Sequence, residues 1–231
     1  MWLYFLCPSR IYIKIDPTTG FINIFNTKEC TNAQTIKAFL ENFDSIRYSA
    51  AKAAFAFDFD YRKFNPRQTD YRNKWTVFSL KEAWNQEKDK NSGKFSAVFH
   101  NPTEEIKSAV ENTGATIADG FDLLALLRTT PANDASASFF KNIFYAFKLS
   151  VALRHSSKEE DRIISPVINS NGEFFTSQIK KNNPLPQDAD ANGAYHIALK
   201  GLYLLKHGIK DGKLGKITQE EWLKFAQTRN Q

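Results

Sequence analysis

The clearest pattern in the chain is an alternation of ring and smaller or polar side chains over residues 54–61, AFAFDFDY. Because the side chains of a strand point alternately to its two faces, this period predicts a strand with one aromatic face. That face carries Phe55, Phe57, Phe59 and Tyr61. Asp58 and Asp60 fall on the other face, which we interpret as exposed to solvent.

Shorter apolar runs predict further strands over residues 2–7, 11–15 and 74–78. Between the second and third of these runs, residues 16–20 (DPTTG) combine Pro and Gly in a turn signature. Residues 80–91 (LKEAWNQEKDKN) are dense in charge and show little apolar period. We interpret this segment as a solvated helix or a flexible loop.

Apolar residues spaced by three and four predict helices over residues 32–42, 101–111, 120–128 and 135–157. The last of these patterns is the longest, and its stripe consists of Phe140, Phe144, Phe147 and Val151. Arg154 continues this stripe at the C-terminal end of the pattern. An Arg in that position complements the helix dipole and can lay its aliphatic stem along apolar surface.

Asp188 and Asp190 precede another helical pattern, whose predicted buried face consists of Ala194, Ile197, Ala198, Gly201, Leu202 and Leu205. A carboxylate at this point caps the helix N-terminus, where backbone N–H groups are unpaired. Two acids one residue apart exceed the need of one cap, so one can cap while the other points elsewhere. Residues 218–221 (TQEE) form a capping box that predicts a last helix.

The composition is that of a globular protein, with 42% hydrophobic and 24% charged residues among 231. A formal net charge of +6 and a pI near 9.2 suit a polyanionic partner such as nucleic acid. The chain has 20 Phe residues. Such rings either build a core or provide surfaces on which bases stack, and the core interpretation is favoured.

Neither cysteine signals a metal site or a disulfide framework, since Cys7 and Cys30 stand alone. This predicts a reduced, cytoplasmic location. Residues 1–12 (MWLYFLCPSRIY) are apolar but have no basic leader and no small-residue cleavage site. The run is far shorter than the roughly 20 apolar residues that span a bilayer. We interpret it as a buried strand and predict no membrane partner.

The segment 186–201, PQDADANGAYHIALKG, resembles the third RuvC segment of the type V-A CRISPR effectors, which are RNA-guided DNA endonucleases. The resemblance implies that Asp190, the second acid of the run, is a catalytic carboxylate and a metal ligand. Residues 14–21, 43–48 and 57–61 are similar to the end of the second RuvC segment of the same family.

Residues 152–156 (ALRHS), Asp161, residues 164–167 (ISPV) and residues 171–175 (NGEFF) resemble the Nuc domain of those effectors. In this resemblance Arg154 corresponds to a catalytic residue on the DNA-strand side of the RuvC pocket. Ser156 and Asp161 match nearby positions whose roles stay open, as does the role of Asp188.

The resemblance implies an α/β fold of mixed α+β type, a partial RNase H-like RuvC fold with a small inserted α/β Nuc domain. The expected segments are the tail of the second RuvC segment at 1–60, the Nuc domain at 61–187 and the third RuvC segment at 188–231. The weakest similarity lies between residues 80 and 99.

Hydrolysis of DNA by such folds uses two Mg²⁺ ions about 4 Å apart, held by several converging carboxylates. Asp190 would be one ligand, and the family takes the others from its first and second RuvC segments, which we expect outside this chain. Asp58, Asp60 and Asp188 are the acids that could substitute, but none stands in the family's metal-ligand context.

We therefore predict the nuclease portion of an RNA-guided DNA endonuclease, inactive alone. Its implied partners are DNA, a CRISPR guide RNA bound through the rest of the effector, and an upstream effector fragment. The alternative is a non-catalytic remnant or nucleic-acid-binding module. The basic charge fits both hypotheses.

Overall fold

The computed structural model describes residues 16, 19–23, 25–65, 73–89, 92–156, 160–169, 171–178, 185–207, 209–210, 213–214 and 218–229. The strands predicted at 2–7 and 11–15, and Cys7, lie outside these residues. The chain forms two compact units, one of Ile24–Ala152 and one of Met1–Asn23 with Leu153–Gln231. The segments predicted at 1–60, 61–187 and 188–231 are functional divisions that these units do not test, and they stay a prediction.

Besides a short 3-10 helix at Tyr61–Lys63, the continuous unit contains five strands and four α-helices among its described residues. In chain order they are α1 (Ala33–Leu40), β1 (Ser45–Ser49), β2 (Ala54–Asp60), β3 (Lys74–Phe78), β4 (Ala83–Lys88), β5 (Phe95–His100), α2 (Pro102–Glu111), α3 (Leu123–Thr129) and α4 (Ala137–Ser150). Strands β1, β2 and β3 form an antiparallel sheet in that order. The predicted mixed α/β class is confirmed.

The aromatic face of β2 forms the core of this unit, as the alternation predicted. Phe55, Phe57 and Phe59 are at most 1% exposed. The stripe of α4 packs on them through Phe147, whose ring centroid lies 5.3 Å from that of Phe57 and 4.7 Å from that of Phe43. Burial of ring surface on this scale is the main stabilising contribution to such a core.

The helix boundaries follow the capping residues of the sequence. Asn32, Asn101 and Asp122 each accept a hydrogen bond from a backbone N–H in the first turn of α1, α2 and α3. Gly114 follows α2 with a φ of 83°, in the left-handed region that favours Gly. The predicted helices over 32–42, 101–111 and 120–128 are confirmed.

The central part of the charged segment 80–91 is a strand, contrary to its interpretation from sequence as a helix or a flexible loop. Residues 83–88 form strand β4, which pairs with β5 in an antiparallel hairpin from Ala83↔His100 to Lys88↔Phe95. Pairing with a partner strand satisfies the backbone, while exposed faces leave the charged side chains in water. Local charge density therefore did not decide the secondary structure.

The second unit contains three longer elements and several short ones. They are β6 (Arg154–Ser156), β7 (Asp161–Ile168), β8 (Phe174–Thr176), α5 (Ala189–His207), β9 (Ile209–Lys210), β10 (Lys213–Leu214) and α6 (Gln219–Arg229). Strands β6, β7 and β8 form an antiparallel sheet, with an irregularity in β7 between Ile164 and Ile168. The predicted capping box of α6 is confirmed, because Thr218 and Glu221 exchange hydrogen bonds.

The buried face of α5 differs from the predicted one. Its buried residues are Ala189, Asn192, Gly193, His196 and Leu199. Ala194 and Ala198 are exposed, as are Leu202 and Leu205. The apolar period placed the core one position away, because this helix buries Asn192 and His196, whose side chains each donate a hydrogen bond to a backbone oxygen. Leu199 instead joins Trp222 and Ala226 of α6 in a small apolar cluster.

Within the described residues, no helix combines the length and the apolar character that a membrane crossing requires.

Candidate active site

Asp188 and Asp190 have different positions at the start of α5. Oδ1 of Asp188 accepts hydrogen bonds from the backbone N–H groups of Asp190 at 3.0 Å and Ala191 at 2.9 Å. Its backbone oxygen accepts from the N–H of Asn192 at 2.8 Å. Asp188 is therefore the N-cap. The carboxylate of Asp190 instead contacts the guanidinium of Arg154, and the side chain is 69% exposed.

The sequence predicted that Arg154 ends a helical stripe, and this prediction is wrong. Helix α4 ends at Ser150, and Arg154 begins strand β6 opposite Ile163 of β7. The backbone N–H of Ile164 donates to the oxygen of Leu153 at 2.8 Å, so pairing with β7 replaces helical hydrogen bonds from Leu153 onward. The helix predicted over 135–157 is correct only in its first two thirds.

The guanidinium of Arg154 lies between two carboxylates. Its Nε donates to Oδ1 of Asp161 at 2.8 Å, and Nη2 donates to Oδ2 of the same residue, in a two-point fork. On its other side, Nη1 and Nη2 reach Oδ1 and Oδ2 of Asp190 at 3.3 and 3.4 Å. The structure thus brings together both residues that the sequence singled out, Arg154 and Asp190, with Asp161 as their neighbour.

Arg154 is a permanent cation, as arginine is in proteins, and these contacts stabilise its charge further. Its hydrogen bonds with Asp161 raise the pKa of the guanidinium above its ordinary value, and the charge of Asp190 adds to the effect. Together the three groups carry one net negative charge. The shorter contacts to Asp161 fix the guanidinium plane, and the longer contacts to Asp190 are those that a ligand could displace.

A buried hydroxyl connects the strand beside Arg154 to the loop before α5. Ser177 is 1% exposed, and its Oγ accepts from the N–H of Ile163 at 3.1 Å and donates to the oxygen of Gln187 at 2.7 Å. Ile163 is the register partner of Arg154, and Gln187 directly precedes Asp188. Ser177 therefore holds the start of α5 at the sheet that carries Arg154. No sequence signal singled out this serine.

Asp58 and Asp60, two of the acids that could substitute as metal ligands, are bound by neighbouring side chains. Asp58 accepts hydrogen bonds of 2.5 Å from Ser45 Oγ and from Thr76 Oγ1. Asp60 binds the guanidinium of Arg62 through both carboxylate oxygens. The Arg62 hydrogen bonds lower the pKa of Asp60 to about 2. Both acids belong to the continuous unit, and both are explained by these local contacts.

The described acids do not fit a two-metal site on their own. No group of three or more His, Cys, Asp or Glu side chains in the described part of the chain is arranged to hold a metal ion. Asp161 is engaged by Arg154, and Asp190 is the more exposed carboxylate of the pair. A metal at Asp190 therefore requires oxygen ligands from outside these residues.

Two buried polar side chains that the sequence did not reveal, Asp16 and His196, lie in the same unit as Arg154. The carboxylate of Asp16 is fully buried and accepts hydrogen bonds from Thr19 and, at 2.5 Å, from Ser165 Oγ. His196 of α5 is also buried, and its Nδ1–H donates to the Asn192 oxygen at 2.9 Å. Burial lowers the pKa of His196, and the hydrogen bond to Asn192 and the charge of Asp16 oppose this change.

A family model described as NUC, a nuclease domain, matches residues 15–179, more than two thirds of the chain. The chain belongs to the NUC nuclease-domain family. The NUC match includes Arg154 and Asp161, while Asp188 and Asp190 follow its end. It supports the resemblance to the C-terminal Nuc region of a type V-A effector. Membership of the NUC family also implies a nucleic acid substrate and a nuclease role.

Proposed function

We propose that this chain is the nuclease portion of a CRISPR RNA-guided DNA endonuclease that acts in antiviral defence in the cytoplasm. The observation that carries the proposal is the contact of Arg154 with both Asp161 and Asp190 in a NUC-family chain. Two residues 36 positions apart in sequence, each implied by a separate part of the resemblance, meet at hydrogen-bond distance.

In this proposal Asp190 is a carboxylate ligand of Mg²⁺, together with carboxylates supplied by an upstream effector fragment. When bound, Mg²⁺ would activate water and stabilise the leaving oxygen during hydrolysis of the phosphodiester. The exposure of Asp190 at the positive end of α5 supports this role, because its oxygens remain accessible.

Arg154 would contact the DNA phosphate beside the scissile bond. Its fork with Asp161 keeps the guanidinium plane fixed, and a phosphate oxygen can take the place of Asp190 as the acceptor for Nη1. A guanidinium is suited to this task because its planar donors match the geometry of phosphate oxygens. The guide RNA would bind to the rest of the effector and deliver the DNA strand.

The test is cleavage of single-stranded DNA with Mg²⁺, first by the chain alone and then after mixing it with the upstream part of a type V-A effector and guide RNA. Cleavage in the mixture, abolished by Asp190→Ala and lowered roughly a hundred-fold by Arg154→Ala, is the expected result. Guided DNA binding should persist in both variants.

Arg62→Ala is the matched control, because Arg62 forms the same kind of two-point fork with Asp60 in the other unit. It should retain cleavage. Full activity of the Asp190→Ala mixture would refute the assignment of Asp190.

The second candidate function is a non-catalytic nucleic-acid-binding module. It is favoured by the ion pairs themselves, because Arg154 satisfies both carboxylates as a structural salt bridge would. Retained DNA binding, with no cleavage in either arm of the experiment, would select this function.

A further inference from the structure

The exposed face of the β4–β5 hairpin carries large rings that the core does not use. Trp84 is 46% exposed, Phe95 69% and Phe99 47%. Most other rings of this unit pack together around Phe147 and Phe43. Aromatic surface left in water on a folded domain commonly marks a site of interaction.

The strand register places these rings on one face. Paired residues of an antiparallel ladder have side chains on the same side, and the pairs alternate between the two faces. One face therefore carries the pairs Trp84↔Phe99, Gln86↔Ala97 and Lys88↔Phe95, six residues that we call the ring face. The opposite face carries Ala83↔His100, Asn85↔Val98 and Glu87↔Ser96.

The register also separates the charges of the hairpin. Lys88 is the charged member of the ring face, and it lies directly across from Phe95. Glu87 falls on the opposite face, where its Oε1 lies 2.9 Å from Nε2 of His100. His100 also contacts Glu105 of α2 at 2.7 Å. The ring face thus combines apolar rings with positive charge, while the acids are engaged on the other side.

We propose that the ring face binds single-stranded DNA by stacking its bases on Trp84, Phe99 and Phe95. The rings of Trp84 and Phe99 contact each other, with centroids 5.4 Å apart and planes inclined by 56°, and the pair forms one stacking site. Phe95 lies four residues from Phe99 along β5, a distance of roughly 13 Å. This distance exceeds the roughly 3.4 Å step between stacked bases, so Phe95 and the Trp84–Phe99 pair would contact different bases.

Single-stranded DNA fits this surface better than duplex DNA or an apolar partner. Rings stack only on bases whose faces are exposed, which excludes an intact duplex. Lys88, which lies beside Phe95, can pair with a phosphate. An apolar partner surface would leave the charge of Lys88 without a counterion. The choice of DNA as the nucleic acid rests on the proposed function. The ring face is separate in sequence from Arg154 and Asp190, the residues proposed to act in hydrolysis.

The experiment measures binding of a fluorescein-labelled thymidine oligonucleotide by the full chain without Mg²⁺. Trp84→Leu and Phe95→Leu remove a ring and keep apolar volume, while Trp84→Phe and Phe95→Tyr keep a ring. Loss of one stacking ring is expected to weaken the Kd roughly five- to a hundred-fold. The ring-keeping variants should bind within about three-fold of the native chain.

A fluorescence readout separates stacking from a folding defect. Stacked bases quench tryptophan, so the native chain, which has four Trp, should lose emission when the oligonucleotide binds. Trp84→Phe should keep the binding and lose most of this quenching. Circular dichroism spectra and melting temperatures within a few degrees of the native values would show that each variant is folded.

Equal binding by the ring-keeping and ring-removing variants would overturn the proposal, as would absence of binding by the native chain. A native dimer that Phe95→Leu converts to a monomer would assign the ring face to a second copy instead. Arg62→Ala, which changes neither the ring face nor the residues of the proposed nuclease site, should bind the oligonucleotide normally. A failure of the ring face is therefore distinguishable from a failure of the nuclease proposal, which is read from cleavage.

Discussion

At the residue scale, Asp161 determines where the Arg154 guanidinium points. Asp161→Asn weakens the two-point fork and lets the side chain of Arg154 rotate. We expect the kcat of cleavage by the reconstituted effector to fall roughly ten- to a hundred-fold, with little change in KM. The reason is that a displaced Arg154 guanidinium stabilises the transition state less, while binding of the DNA depends on many other contacts.

Asp60→Asn is the control for Asp161→Asn, since Asp60 forms the equivalent fork with Arg62. Its activity should be native. Equal losses in the two variants would show that the effect of Asp161→Asn comes from general destabilisation and would contradict a positioning role.

Ser177 is a second positioning residue of the site. Ser177→Ala removes the acceptor for the Ile163 N–H and the donor to the Gln187 oxygen, which leaves buried polar groups unpaired. We expect a loss of about 1–3 kcal/mol in the free energy of unfolding, measured by urea denaturation, together with slower cleavage.

Ser79→Ala provides the comparison for Ser177→Ala. Ser79 is a fully buried serine of the other unit, and its Oγ accepts from the Phe55 N–H at 2.9 Å. A similar loss of stability with native cleavage rate is expected there. If Ser177→Ala also cleaved at the native rate, its connection to the start of α5 would have no part in catalysis.

His196 makes stability depend on pH. Burial lowers its folded-state pKa below the ordinary value of 6.5, so the unfolded chain binds the proton first as pH falls. The contribution of neutral His196 is therefore fully present above about pH 6.5 and declines as pH falls from there through the lower, folded-state pKa.

The measurement is the free energy of unfolding between pH 8 and pH 5 for the native chain and for His196→Gln. The decline on the acidic side should be shallower in the variant, whose amide does not titrate. Parallel curves for the two proteins would contradict a buried neutral His196.

At the element scale, the Asp188 cap determines the start of α5. Asp188→Ala removes acceptors for two backbone N–H groups, and we expect a loss of about 0.5–2 kcal/mol in the free energy of unfolding. Asp122→Ala at the start of α3 is the comparison, because Asp122 caps through the Ala125 N–H at 3.0 Å.

Only the Asp188 variant should also lower cleavage by the reconstituted effector, because its helix carries Asp190. A native cleavage rate in Asp188→Ala would show that the position of Asp190 does not depend on this cap.

Several elements were predictable from residues close in sequence, and others were not. The caps Asn32, Asn101 and Asp122 and the alternation of residues 54–61 act within a few residues, so they determined α1, α2, α3 and β2. Strand β4 depends on its pairing with β5, and the end of α4 depends on the pairing of Leu153 and Arg154 with β7. Local period carries no information about those partners.

At the scale of the whole molecule, the continuous unit depends on a ring core centred on Phe147. This ring packs against rings of α1, β2 and the segment between α1 and β1, among them Phe39, Phe43 and Phe57. Phe147→Ala should cost about 3–5 kcal/mol of the free energy of unfolding in urea denaturation, because the cavity is surrounded by rings that relax little.

Tyr145→Ala on the same helix is the matched control, since Tyr145 is 56% exposed. It should change the free energy of unfolding by less than about 0.5 kcal/mol. Comparable losses from the two substitutions would contradict a core centred on Phe147.

The sequence by itself determined most helix starts and the aromatic core, and its resemblance to known effectors predicted the mixed α/β class and the family. It also singled out Arg154 and Asp190, but through resemblance to known effectors rather than through spacing. Only the tertiary structure decided that Arg154 lies on a strand and that Asp161 and Ser177 support the pair of Arg154 and Asp190. The physical reason is range: caps and period act within one or two turns, whereas these contacts join residues up to 36 positions apart.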